Sequence, residues 1–163
     1  MAFWIICLKM DFVQNLYCAL VFIVLNTITY YDLKERRIPN SLLVIMLLMK
    51  IGYLFSAFFL INSIFVEELF NSIFGFLFFV IISLVMYPFL NKTIGAADFK
   101  LLIVIGFVLG FYDAVSLSAV SLVVSLVFLL LNLLFKKSRV KKLPFAPIVL
   151  LSFSCLYLIK IVL

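Results

Sequence analysis

The chain has 163 residues, of which 68% are hydrophobic and only 12% charged, with a mean hydropathy of +1.39. A water-soluble domain of this size has no use for so much apolar surface, which excludes that class and makes lipid the solvent. The net charge of +6 calls for no nucleic-acid partner, because basic residues accumulate in the cytoplasmic loops of membrane proteins.

Irregular backbone cannot face hydrocarbon, and the long apolar runs lack the period of two that barrel strands show. The expected fold class is therefore all-α, a polytopic membrane protein of six transmembrane helices, with 1–163 forming one membrane-embedded domain. Taken in chain order, the spans are expected at residues 12 to 31, 41 to 61, 69 to 90, 99 to 112, 114 to 135 and 145 to 162. The short apolar stretch at residues 2 to 8 has no basic residue before it and is kept as part of the mature chain.

Lys34, Arg36 and Arg37 follow the first span, Lys92 and Lys100 flank the gap after the third, and Lys136, Lys137, Arg139, Lys141 and Lys142 follow the fifth. Glu67, Glu68 and Asp113 fall in the opposite loops, with Asp11 before the first span. The positive-inside rule then makes the basic side cytoplasmic and both termini external. The fourth segment is short, since a helix over 98 to 112 rises only about 21 Å against a hydrocarbon core of about 30 Å, so it either starts below the membrane surface, which recesses Asp98, or runs past Asp113. Its Gly106 and Gly110 form a G-x-x-x-G pair that would let a neighbouring helix approach closely.

Cys7, Cys18 and Cys155 are scattered through apolar segments and suggest neither a zinc site nor a disulfide framework, so no metal or cofactor is expected. The absence of histidine removes Ser-His and Cys-His nucleophiles, HExxH metallopeptidases and His-based proton relays. Carboxylates and lysines remain, and an ionisable residue in a span is costly enough to be a functional candidate by default.

Asp32 closes the first span, just before Leu33-Lys34-Glu35-Arg36-Arg37, and Pro39 and Asn40 read as a turn and cap opening the second helix. Asp98 opens the fourth segment within Gly95-Ala96-Ala97-Asp98-Phe99-Lys100-Leu101, where small residues leave the backbone accessible to an extended peptide. The plain alternative for both aspartates is electrostatic: an offset to adjacent bases at Asp32, and a favourable helix-dipole position at Asp98. Their chemical reading is a pair of carboxylates at one membrane face, which share a proton when held close. One then activates water while its protonated partner polarises a scissile carbonyl.

These segments resemble a known family. D-x-x-x-x-x-I-P-N (Asp32, Ile38, Pro39, Asn40) and G-x-x-D-x-K-L (Gly95, Asp98, Lys100, Leu101) look like the two signature motifs of type IV prepilin and archaeal preflagellin peptidases, which are six-span aspartic peptidases of the GxGD type. Pro144-Phe145-Ala146-Pro147 is similar to the family's P-F-G-P stretch. The resemblance implies Asp32 and Asp98 as the catalytic pair, with Lys100, Gly95, Ala97, Pro39 and Asn40 in support; Glu35 reads either as an interfacial charge offsetting the adjacent bases or, by its charge, as a contact for a basic leader. The resemblance also implies prepilin-type precursors as substrates in the lipid bilayer, and leaves oligomeric state open.

Two positions depart from the pattern: Ala97 stands where the family has the second glycine of G-x-G-D, and Ala146 replaces another glycine, so a Cβ is introduced at each. No N-terminal methyltransferase domain is expected, which implies leader cleavage without N-methylation. Lys50, near the middle of the second span, supports the competing readings: it either pairs with a carboxylate inside the bundle or marks a transporter subunit or scaffold. Tyr31-Asp32 also resembles the Y-D motif of presenilin-like peptidases, against which the chain length and the I-P-N turn argue.

Overall fold

The computed structural model describes residues 2–60, 62–90, 95–134 and 145–162, with the backbone alone at residues 2–11, 60, 62, 63, 89, 90, 128, 129, 131–134 and 159–162. These residues form six helices: α1 (Ala2–Glu35), α2 (Asn40–Leu60), α3 (Asn62–Leu90), α4 (Ala96–Leu109), α5 (Phe111–Leu134) and α6 (Phe145–Val162). The all-α class is as expected. Three helices contain stretches long and apolar enough to cross a membrane: Phe12–Glu35, Asn40–Phe59 and Ile64–Pro88. Among the described side chains, α5 and α6 contribute shorter apolar stretches, Phe111–Val127 and Phe145–Leu158. The apolar surface faces outward as well as inward: Phe59, Leu84 and Leu122 are about 70% exposed, a distribution suited to lipid and not to water.

Several boundaries differ from expectation: α1 runs from Ala2 to Glu35, and α4 spans Ala96–Leu109 instead of 99 to 112. Helix α3 starts at Asn62 instead of residue 69, and α5 at Phe111 instead of 114, so Glu67 and Glu68 belong to the second turn of α3 and Asp113 to the first turn of α5, not to loops. Glu68 is drawn into the bundle because its Oε2 accepts from Lys50 Nζ at 3.1 Å. Lys50 is thus paired with a carboxylate, one of the readings raised for it; it is 1% exposed and also lies over the rings of Tyr53 (5.0 Å) and Tyr17 (5.6 Å). This buried cation, hydrogen-bonded to Glu68 and stacked on two tyrosine rings, ties α1, α2 and α3 together.

Helix α4 stops after 14 residues. Gly110 ends it with φ +81° and ψ 173°, a region open essentially to glycine alone, and the chain restarts as α5 at Phe111. Such a break within apolar surroundings leaves main-chain groups needing partners. Tyr17 on α1 donates its hydroxyl to the Val108 carbonyl at 2.8 Å, and the Phe111 N–H donates to Asn71 Oδ1 on α3 at 2.9 Å. The short fourth helix is therefore stabilised from two neighbours at the point where it breaks.

The glycine pair behaves differently from the expected seam. Gly106 does take part in close packing, but its partner is Gly75 on α3, and Gly110 serves the break instead. A Cβ on Gly106 would lie 2.7 Å from the Gly75 carbonyl oxygen and 2.6 Å from the Phe79 ring; one on Gly75 would run into the Gly106 carbonyl oxygen. Backbone contact at this point makes α3 and α4 the most extensively packed pair in the bundle.

Candidate active site

The end of the bundle formed by the C-terminus of α1 and the N-termini of α2, α4 and α6 gathers the residues singled out by sequence. Asp32 is 7% exposed on a buried stripe of α1 that also carries Leu25 and Ile28. Its Oδ2 accepts the main-chain N–H of Ala146 at 3.2 Å, in the first turn of α6. A carboxylate taken from water into a helix bundle requires such a donor, and the start of a helix supplies free N–H groups and a favourable dipole. Arg36 closes α1 with φ +52°, its N–H bonding back to the Asp32 carbonyl at 3.0 Å. This left-handed residue turns the chain away immediately after the aspartate.

The Ile38-Pro39-Asn40 turn follows. Ile38 is buried in the core and anchors the connection. The Pro39 carbonyl accepts from Leu42 N–H at 3.1 Å, so Pro39 takes the capping position and Asn40 is the first helical residue, exposed at the surface. The expected order of turn and cap is thereby shifted by one residue. Glu35 is the last residue of α1 and is exposed.

Asp98 occupies the first turn of α4, where its Oδ2 accepts the N–H of Gly95 at 3.1 Å. Gly95 has ordinary extended torsions (φ −73°, ψ 149°) and serves as the N-cap. Ala97 is half-buried against the core within the helical turn, and Ala146 is 1% exposed within the first turn of α6. Neither position adopts a left-handed conformation, so the two alanines cause no backbone strain where the pattern has glycine. Lys100 points outward and is exposed.

The relative depth of the two carboxylates follows from the Tyr17–Val108 hydrogen bond. Counting along the antiparallel helices from that level, Asp32 lies about 22 Å toward this end on α1 and Asp98 about 15 Å toward it on α4. The two are thus within about one and a half helical turns of each other in depth, on different helices of one bundle. Lys92, the basic run from Lys136 to Lys142, and Pro144 lie outside the described residues.

The family model of the type IV leader peptidases matches residues 19–135, a stretch that contains both aspartates and the turn between α1 and α2. The chain belongs to the type IV leader peptidase family. It is accordingly a peptidase, and its apolar helices make it a multi-pass membrane protein. No curated protein and no solved structure matches it. The family match stops before α6, so the contact between Asp32 and Ala146 is contributed by a segment beyond it.

Sequence reasoning missed three partners that complete this arrangement: the Ala146 N–H on Asp32, Tyr17 on Val108, and Glu68 on Lys50. The first is a main-chain group and leaves no mark in side-chain chemistry. Tyr17 carried no local signal that set it apart, and Glu68 read as a loop acid. At the opposite end, a cavity of about 440 Å³ is lined by Glu67, Glu68, Asn71, Phe74, Phe111 and Tyr112, away from both aspartates.

Proposed function

We propose that this leader peptidase is an aspartic endopeptidase in which Asp32 and Asp98 form the catalytic pair. In this reading it removes the short basic leader from type IV prepilin-like precursors, of the Flp/Tad-pilin or archaellin-like kind, at the cytoplasmic face of the cell membrane. All six helices are membrane-embedded, both termini lie outside, and the ends of α1 and α4 meet the cytoplasm. The observation that carries the reading is the family match enclosing two aspartates that share one end of the bundle.

The chemistry follows from two carboxylates with one proton between them. The ionised member takes a proton from water as the oxygen attacks the scissile carbonyl, and the protonated member donates to the developing oxyanion. Collapse of the tetrahedral intermediate expels the amine, which takes up a proton, and releases the leader with a new carboxylate. Substrate geometry suits this placement. A basic leader stays in the cytoplasm while the apolar helix after it lies in the bilayer, so the junction arrives at the membrane boundary. Glu35, Lys100, Gly95, Ala97 and the Pro39-Asn40 turn surround the approach, with Glu35 the acidic contact for the leader's bases.

The deciding experiment is co-expression with prepilin-type precursors encoded nearby, reading a leader-sized mass loss. Asp32→Asn and Asp98→Asn are each expected to abolish cleavage while the protein still inserts and unfolds at the parent temperature. Cleavage persisting in either variant overturns the assignment of the pair, and cuts mapped deep within the apolar helix overturn the prepilin reading.

A further inference from the structure

Among the described residues, most serine and threonine hydroxyls inside these helices bond back to their own backbone. Thr27 donates to Ile23 O at 3.0 Å, Ser72 to Glu68 O at 2.8 Å, and Ser118, Ser121, Ser125, Ser152 and Ser154 do the same at 2.7 to 2.8 Å. This is the default in a helix surrounded by apolar groups, because an unsatisfied hydroxyl costs free energy there. Among the described residues two buried side chains break the pattern: Thr29 Oγ1 and Ser83 Oγ have no partner, although Thr29 is 8% and Ser83 6% exposed.

Their positions coincide with those of the aspartates. Thr29 lies one turn before Asp32 on the same buried stripe of α1, a spacing that puts side chains about 5–6 Å apart at Cβ. Ser83 is on α3, whose Gly75 touches Gly106 of α4. Eight residues separate Gly75 from Ser83 and eight separate Gly106 from Asp98, so on antiparallel helices Ser83 and Asp98 are level, both about 12 Å from the glycine contact. The ring contact between Tyr87 and Phe99 at 5.7 Å keeps α3 and α4 together at this end. Counted from the Tyr17–Val108 level, Thr29 lies about 18 Å along α1, between the depths of Asp98 and Asp32.

We propose that the hydroxyls of Thr29 and Ser83 bind the main chain of the precursor as it crosses between the two aspartates. The proposal rests on the assignment of Asp32 and Asp98 as the catalytic pair. A peptide bond inside a helix is protected by its own hydrogen bonds, so the segment to be cut must unwind. At the hydrocarbon boundary its freed N–H and C=O groups then need partners that lipid cannot give. A hydroxyl is both donor and acceptor and can serve either group. Thr29 and Ser83 approach from α1 and α3, so an extended strand would be held from two sides while its scissile carbonyl faces the carboxylates. The native fold leaves both hydroxyls unpartnered, and that loss is recovered when substrate arrives, so the same groups that weaken the free protein favour the complex.

Thr29→Val and Ser83→Ala test this, because each deletes a hydroxyl with little change of shape. Each is expected to reduce kcat/KM for a co-purified prepilin precursor about three- to tenfold, and the double variant by about the product of the two. Thermal stability in detergent should stay the same or rise, since an unsatisfied buried group is removed. Thr29→Ser keeps the hydroxyl and should retain parental cleavage. Parental kcat/KM in the double variant overturns the proposal, as does activity loss that runs parallel to a fall in stability or is not rescued by serine. Asp32→Asn, run in parallel, reports separately on the catalytic pair. If it cleaves normally the underlying assignment fails, whereas a dead Asp32→Asn beside a fully active double variant removes this inference alone.

Discussion

Replacing Gly75 by alanine puts the packing argument at risk most directly. The added Cβ would meet the Gly106 carbonyl oxygen, Phe111 N at 2.8 Å and Gly110 C at 2.9 Å, all main-chain atoms that cannot rotate aside. Overpacking of this kind costs about 1–3 kcal/mol, and backbone obstacles favour the upper end. The gain in helix propensity from glycine to alanine, about 1 kcal/mol, offsets part of it and leaves a net loss of about 2 kcal/mol. At about 2–4 °C per kcal/mol for a chain of this size, Tm falls by about 4–8 °C. Gly106→Ala should be milder, since one of its obstacles is the movable Phe79 ring at 2.6 Å. Gly52 is the internal control: a Cβ there meets nothing within 4 Å, so Gly52→Ala gains propensity without a clash and Tm rises by about 2–4 °C. Because α4 carries Asp98, pushing α3 and α4 apart also displaces a proposed catalytic group, and a shift of about 1 Å costs on the order of 100-fold in rate. Thermal unfolding in detergent together with precursor cleavage reads both effects. A Gly75→Ala protein as stable and as active as its parent would refute the backbone contact between α3 and α4.

Three further outcomes follow from contacts already described. Glu68→Ala strands Lys50, whose side chain is only 2% exposed, and should cost about 3–5 kcal/mol; Lys50→Met leaves Glu68, at 27% exposure beside a polar cavity, and should cost less, with the double variant closer to the parent than Glu68→Ala alone. A double-mutant cycle of unfolding free energies measures this, and additive losses would contradict it. Tyr17→Phe deprives the Val108 carbonyl of its partner at the end of α4 and should lower stability by about 1–3 kcal/mol, read by denaturation in mixed micelles. Arg36→Gly relieves a left-handed residue at φ +52° and should raise Tm by about 2–4 °C without affecting cleavage.

Sequence reading succeeded where a single residue or short motif carries its meaning locally. The run after Asp32 marks a helix end followed by a tight turn, and Gly95 to Asp98 marks a helix start, so the two aspartates were placed on separate helices and on one face. It was less informative where meaning depends on a partner far along the chain. Lys50 offered a carboxylate partner as one of several readings, but nothing local distinguished Glu68 from Glu67, and both read as loop acids until α3 proved to start at Asn62. Gly106 and Gly110 looked like one motif because they are four apart. In space they do separate work, one against Gly75 and the other at a φ of +81°, and only the fold reveals that division. The unpartnered hydroxyls of Thr29 and Ser83 were illegible for the same reason, since a missing hydrogen bond is not a property of sequence.

The Lys50–Glu68 pair has a consequence for biogenesis. Lys50, near the middle of α2, would on its own oppose insertion by about 2.5–3.5 kcal/mol, and Glu68, near the start of α3, by less. The counter-charge of Lys50 sits on the very next helix, and α2 ends at Leu60 where α3 begins at Asn62, so the two segments can leave the translocon as a neutralised hairpin. Pairing of the two charges therefore lowers the cost of placing α2 and α3 together in the bilayer below that of placing each alone.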